Sequence, residues 1–272
     1  MSVVNTPADL SAHPEKPEQT KAIDPRDWIA GLEKGLAMIA SFDEAHTRLT
    51  ASQAGARCGM TRTAARRYLL TLQHLGYVAS DGKYFWLTPK VMRLGQLYME
   101  SARLPRIVQP ALQRLAVGTQ EISYVSVLDG DEIVYVARNG TNRSMNTSFV
   151  LGARVPAPVT AAGLLLLALQ GQAANERWLA QGNLKTFTSH TLTDKNQLRA
   201  MFAMVRTQDW ALSEQQLDLS YRGVAVPLRD HKGEVVAALS VSMPMQFESS
   251  PSAVERVLPL LKETAQSLRH LL

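Results

Sequence analysis

A run of helix-start and helix-stop signals between Asp27 and Leu87 leaves this chain few folds to choose from. Ile29, Leu32, Leu36, Ile39 and Ala40 recur at helical spacing, and that pattern ends near Phe42. Thr50 is placed to cap a second short helix that stops before Gly59, and Thr61 to cap a third that runs through Leu75 to Gly76. In the third helix Ala65, Leu69, Leu72 and Leu75 share a stripe expected to face a core. Tyr77–Ser80 and Lys83–Leu87 then flank Asp81-Gly82, a dipeptide that accepts the positive backbone angles of a tight hairpin turn. Three helices followed by a hairpin is the order of a winged helix-turn-helix.

The remainder reads as a different kind of body. A helix is expected over Pro89–Arg103, with Val91, Leu94, Leu97 and Tyr98 on one stripe, acting as a linker that also packs on a partner subunit. Hairpin signals recur where Ser123–Leu128 and Glu132–Arg138 flank Asp129-Gly130, and where Gly223–Leu228 and Glu234–Met243 flank a polar turn. Helical patterns cover 104–119, 160–170, 194–208 and 251–272. The expected class is therefore α+β: a winged head, a linker helix, and an antiparallel sheet with helices on its faces. The proline-rich start lacks apolar periodicity and reads as a disordered tail. The divisions are 1–25 for the tail, 26–88 for the head, 89–103 for the linker and 104–272 for the body.

Charge distinguishes head from body. Residues 26–103 carry a net +5, the tail −2 and the rest +2, so the basic excess sits on the small head. That is the arrangement of a polyanion-binding module joined to a near-neutral domain, although a solvated basic face alone would also give it. The longest apolar run, Ala161 to Leu169, is too short to cross a bilayer, and the first residues lack a signal peptide's features. A single cysteine, Cys58, allows no internal disulfide. A cytoplasmic chain with no membrane partner is expected.

The order of cap, turn, helix and wing favours double-stranded DNA as the polyanion. Arg62, Thr63 and Arg66 project opposite the apolar stripe of the third helix, with Arg67 beside them. The leading turns of such a helix enter the major groove, where arginine reads guanine or clamps phosphate and threonine meets phosphate or a thymine methyl. Thr61 belongs to this set, as do Thr50 and Gln53 on the preceding helix. Lys83 and Tyr84 at the hairpin tip suit backbone contacts by a wing.

The residues also resemble those of a known family. Gly31-Leu32-Glu33-Lys34-Gly35-Leu36 is similar to the opening of IclR-type regulators. So are Gly59 to Arg67, Leu72 to Tyr77 and Leu87-Thr88-Pro89 to their recognition helix and the turns after it. In the body, Leu128 to Arg138 and Val224 to Asp230 resemble the family's effector domain. The resemblance spans about residues 27–270 and is strongest to the branch governing aromatic-acid catabolism, including protocatechuate and hydroxybenzoate regulators. It implies a GAF-like effector domain, a homodimer or homotetramer, an aromatic carboxylate as effector, operator DNA as partner, and RNA polymerase as a further partner if the chain is an activator. A small non-aromatic organic acid is the alternative effector. The chain departs from the branch at Glu121-Ile122-Ser123 and at Val159 to Leu164.

Matching the family's effector positions gives Ser144, Thr147, Val155, Ala161, Ala162, Ser213, Tyr221, Gly223, Ser240 and Ser242. The residues themselves agree with part of this set. Ser240 and Ser242 share one strand face, Gly223 leaves room beside a neighbouring strand, and Met145–Val159 is long enough for a lid. A carboxylate also wants a cationic or multi-donor clamp, for which Arg143 and Asn146 are the first choices and Arg138 and Arg154 the next.

Enzyme chemistry finds nothing to build on. His13, His46, His74, His190, His231 and His270 form no metal-ligand spacing. No G-x-S-x-G elbow, phosphate-binding lysine loop or dinucleotide glycine motif occurs. No catalytic residue, metal or cofactor is expected.

Overall fold

The computed structural model describes residues 23–140, 150–182 and 184–272. The expected tail falls mostly in residues 1–22, outside that range. Two compact units form, one ending at Leu94 and the other beginning at Gly95.

The first unit contains α1 (Ala30–Ala40), α2 (Ala51–Arg57), α3 (Arg62–His74) and the hairpin β1 (Val78–Ser80) and β2 (Phe85–Leu87). Both expected caps form. Thr50 and Gln53 make a reciprocal capping box, and the Thr61 hydroxyl accepts from the Ala64 amide at 3.3 Å. Met38, Leu49, Ala54, Ala65, Leu69, Val78 and Phe85 build the core. Leu49 exchanges two backbone hydrogen bonds with Phe85, of 2.9 and 2.8 Å, so the segment before α2 ties down the wing.

Two expectations in this unit are corrected. Leu75 is 49% exposed, because the helix ends at His74 and Gly76 turns the chain at φ +80°. The wing turn is a four-residue loop, Asp81 to Tyr84, in which only Gly82 has positive φ. It is held by Asp81 Oδ1, which accepts from the Lys83 and Tyr84 amides at 3.0 and 2.8 Å.

The linker is not one helix. A 3₁₀ turn at Pro89–Val91 leads into α4 (Met92–Ser101), the chain extends at Ala102, and α5 (Arg103–Thr119) begins afresh. Pro105 explains the break: in a continuous helix its ring would strike the Ser101 carbonyl.

The second unit continues with β3 (Ile122–Asp129), β4 (Glu132–Asn139), β5 (Arg154–Pro156), α6 (Ala161–Leu169), α7 (Gln172–Gln181) and α8 (Lys195–Gln208). It closes with β6 (Ala211–Glu214), β7 (Tyr221–Arg229), β8 (Val235–Pro244) and α9 (Ser250–Leu268). The six strands form one antiparallel sheet in the order β5-β4-β3-β8-β7-β6. Inward residues alternate along each strand. Tyr124 and Ala225 pack on the side of α6 and α8, whereas Val125, Val224 and Val226 pack on the side of α5 and α9. Two apolar layers thus sandwich the sheet, as an α+β fold requires.

The β3–β4 turn falls on Gly130-Asp131, one residue later than expected, because Asp129 pairs directly with Glu132. The helix α7 and the short strands β5 and β6 were not foreseen. Gly163 has a specific duty: a Cβ there would lie 2.1 Å from the Ala157 carbonyl oxygen, so α6 can press on the 3₁₀ turn Ala157–Val159 only through glycine.

Candidate nucleic-acid interface and ligand pocket

On the first unit α3 buries Ala65, Leu69 and Leu72 and exposes Thr61, Arg62, Thr63, Arg66 and Arg67. Among the described residues, Arg62, Arg66 and Arg67 join no ion pair. Other arginines of this unit are engaged. Arg48 binds Asp81 at 2.9 Å and lies 4.3 Å above the Trp86 ring, while Arg57 pairs with Asp43 and donates to the Ser41 carbonyl. The leading end of α3 therefore presents cations that the fold itself does not neutralise, next to backbone amides at a helix N-terminus.

Thr50 and Gln53 are partly committed. The Thr50 amide donates to Gln53 Oε1 at 2.8 Å, which leaves the exposed Gln53 side-chain NH₂ as the outward donor. On the wing Lys83 is exposed with its ammonium 5.2 Å from the Tyr84 ring centroid. Arg48 and Trp86 were not singled out from sequence; only the fold brings them under the wing.

The second unit holds a cavity of about 60 Å³ between the sheet and α6. It gathers Ala161, Ala162, Ser213, Tyr221, Gly223, Ser240 and Ser242 of the expected set. The strand register explains this, since Ser213 pairs with Gly223, Gly223 with Ser242, and Ala225 with Ser240. Ser213 donates to the Val159 carbonyl at 3.0 Å, tying β6 to the turn before α6. A Cβ on Gly223 would meet Ala161 Cβ at 3.5 Å, so any larger side chain there would fill the cavity.

Other expectations are placed differently. Val155 is 3% exposed and packed in the core cluster, outside the cavity lining. Arg154 is unavailable as a clamp because it binds Asp129 and Glu132 at 2.7 Å each. Arg143, Ser144, Asn146 and Thr147 lie outside the described residues.

Tyr124 and Tyr135 line the cavity with ring centroids 4.8 Å apart, and Tyr221 closes it. Inward alternation along the first body hairpin was the signal that marks Tyr124. Burial pushes its phenol up to about 12, against a downward pull from Arg138. Tyr135 is raised by burial too, so both rings stay neutral and keep their O–H groups near neutral pH. Arg138 pairs with Tyr124 across the sheet and lies 6.0 Å from that ring's centroid.

A winged head with free arginines, joined in one chain to a body with a small, tyrosine- and serine-lined pocket, defines a transcription regulator rather than an enzyme. The comparisons make this specific: residues 31–82 match the IclR helix-turn-helix domain and residues 96–270 the C-terminal domain of bacterial IclR regulators, so the chain belongs to the IclR family. It is 39% identical over 256 residues to the Pca operon regulatory protein of Acinetobacter baylyi, covering 93% of this chain and 92% of that one. It is 37% identical over 265 residues to the p-hydroxybenzoate hydroxylase transcriptional activator of the same organism, covering 96% and 97%. Among solved structures, the inducer-binding domain of an Acinetobacter PobR double mutant with 3-hydroxybenzoic acid is 32% identical. Its TM-score is 0.60, and it covers 63% of this chain and 100% of that one. An IclR homologue from Microbacterium hydrocarbonoxydans with 4-hydroxybenzoate is 25% identical, with TM-score 0.69 and coverage of 88% and 97%. No helix among the described residues is long and apolar enough to cross a membrane.

Proposed function

We propose that this regulator binds operator DNA through the leading end of α3 and that a small aromatic carboxylic acid in the body's pocket controls it, governing an operon for aromatic-compound catabolism. The observation that carries the DNA half is the set of exposed, unpaired arginines at a capped helix N-terminus. Thr61, Arg62, Thr63 and Arg66 take the groove, Arg67 and Lys83 the phosphates, with Thr50, Gln53 and Tyr84 along the edge.

The acid half rests on pocket chemistry and on relatives named for the Pca operon and for p-hydroxybenzoate hydroxylase. Neutral phenols and serine hydroxyls beside small apolar residues suit a planar hydroxylated ring. The cavity is well below the ~300 Å³ at which ordinary ligand sites begin, so the ligand is a single ring that displaces part of the lining on entry. In this reading the carboxylate's partner is Arg138, which lies outside the cavity lining but 6.0 Å from the Tyr124 ring centroid, with Arg143 and Asn146 as further donors.

Two features support a homo-oligomer. Trp28 and Ile29 just before α1, Leu32 and Leu36 on it, and Leu94, Leu97 and Tyr98 on α4 are all more than 40% exposed in the single chain. Their burial against a second copy would pair two heads for a two-part operator.

Fluorescence anisotropy with DNA from upstream of the chain's own gene, with and without 4-hydroxybenzoate, 3-hydroxybenzoate and protocatechuate, tests the whole reading. Preference over random DNA and a change in affinity with one acid are expected. No preference with any acid would reject it. Arg138→Ala should weaken the active acid at least about tenfold by calorimetry, the scale of a lost charged hydrogen bond.

A further inference from the structure

The strand β7 faces two ways. Tyr221, Arg222 and Gly223 all border the pocket, but the Arg222 side chain, 2% exposed, is turned to the loop after β8. There Nη2 donates to the carbonyls of Met245 and Glu248 at 3.2 and 2.9 Å, holding the loop between β8 and α9. Glu248 passes the connection on. Its carboxylate binds Arg256 on α9, and Arg256 binds Glu121 at 2.8 Å and the Thr119 carbonyl at 2.7 Å. Thr119 and Glu121 are the junction of α5 and β3, and α5 is the helix that follows α4 in the chain.

This chain of charges is incompletely satisfied. Arg222 Nη1 is buried without a hydrogen-bond partner, Nε donates to Met245 Sδ at 3.2 Å, and Glu214 Oε1, which accepts from the Ser250 hydroxyl at the start of α9, pairs with Nε only at 3.6 Å. A buried guanidinium left partly unpaired is costly, so an arrangement that moved Glu214 closer competes with this one. Glu214 is on β6, directly after Ser213, which lines the pocket. The strands whose inner faces would touch a ligand therefore also carry Glu214 and Arg222, which are tied to Ser250 at the start of α9 and to the loop before it.

We propose that Arg222 and Arg256 form a through-sheet relay by which occupancy of the pocket resets the α5–β3 junction and hence the helix leading back to the DNA-reading head. The inference rests on the effector reading above. Ligand contact with Ser213, Tyr221 and Gly223 closes the Glu214–Arg222 gap, alters the hold on the loop before α9, and changes the pull of Arg256 on Thr119 and Glu121. Such coupling requires an element with two arrangements that both sites bias, and in this proposal that element is the guanidinium whose Nη1 lacks a partner.

The test separates binding from response in the full-length protein. An acid among 4-hydroxybenzoate, 3-hydroxybenzoate and protocatechuate that raises the wild-type melting temperature is carried into titrations of Arg256→Met and Glu121→Gln. Each variant is expected to bind the acid within about twofold of wild type, since neither residue lines the pocket. The acid's effect on operator affinity, about five- to 150-fold for ordinary allosteric coupling, should shrink to less than about twofold in Arg256→Met. An undiminished response in folded Arg256→Met and Glu121→Gln overturns the relay, and so does loss of acid binding itself. Wild-type protein that binds none of the acids overturns the effector reading beneath it, and wild-type protein that binds one without any change in operator affinity overturns both.

Discussion

At the scale of single residues, the legible features are those whose partners lie a few positions away. Thr50 and Thr61 were readable as caps because a cap needs only its own helix, and both form. Thr61→Ala should destabilise the head by about 1 kcal/mol in urea unfolding. It should also weaken DNA binding, since the same turn carries Arg62 and Thr63. Arg154 shows the opposite case. Its acid partners come from both ends of a hairpin turn that lies one residue away from where the Asp-Gly signal put it, so its pairing was invisible locally. Tyr124 carries a pH prediction. The fold favours its neutral phenol, raising it from the ordinary 10 to about 12, so its contribution is full below about pH 10 and is lost as pH rises towards 12. Thermal melts should show that alkaline loss, and Tyr124→Phe should reduce it, with the buried Tyr135 supplying the remainder; an unchanged alkaline limb in the variant would assign the loss elsewhere.

At the scale of elements, periodicity found the long helices and the three hairpins, and failed where elements were short or their pattern was weak. The strands β5 and β6 are too brief to show alternation, and they exist because neighbouring strands offer open edges. The break at Ala102 was available from Pro105 but was overridden by an apolar stripe that runs on through it. The tightest contact between elements is at Gly163. Gly163→Ala would drive a methyl into the Ala157 backbone and should destabilise the body by at least about 3 kcal/mol. The readout is urea unfolding, and a loss under 1 kcal/mol would mean that the 3₁₀ turn yields freely. About half of the pocket was legible because Ser240, Ser242, Tyr221 and Gly223 sit on strands with clear alternation. Tyr135 was not, because it meets Tyr124 only through the pairing of β3 with β4, which no local pattern describes.

At the scale of the whole molecule, the exposed apolar residues of α1 and α4 set the strongest expectation. A single chain that leaves Leu32 and Leu36 at 61% and 56% exposure carries a surface suited to a second copy. Leu36→Glu should therefore shift the protein to monomer in analytical ultracentrifugation while leaving its circular dichroism intact. A wild-type protein already monomeric at micromolar concentration would remove that expectation. The family, the α+β class and the two-part plan were readable because motifs from both parts occur together, whereas how copies assemble depends on surfaces that no periodicity describes.

The pairing of β3 with β8 sets residues 122–126 against 238–242, so the middle of the body's sheet joins stretches made far apart in time during synthesis. On the ribosome the arginine-bearing first unit is therefore complete while the sensing sheet still lacks half of its central seam. Each newly made molecule passes through an interval in which it owns a finished hand for the duplex and no finished ear for the metabolite.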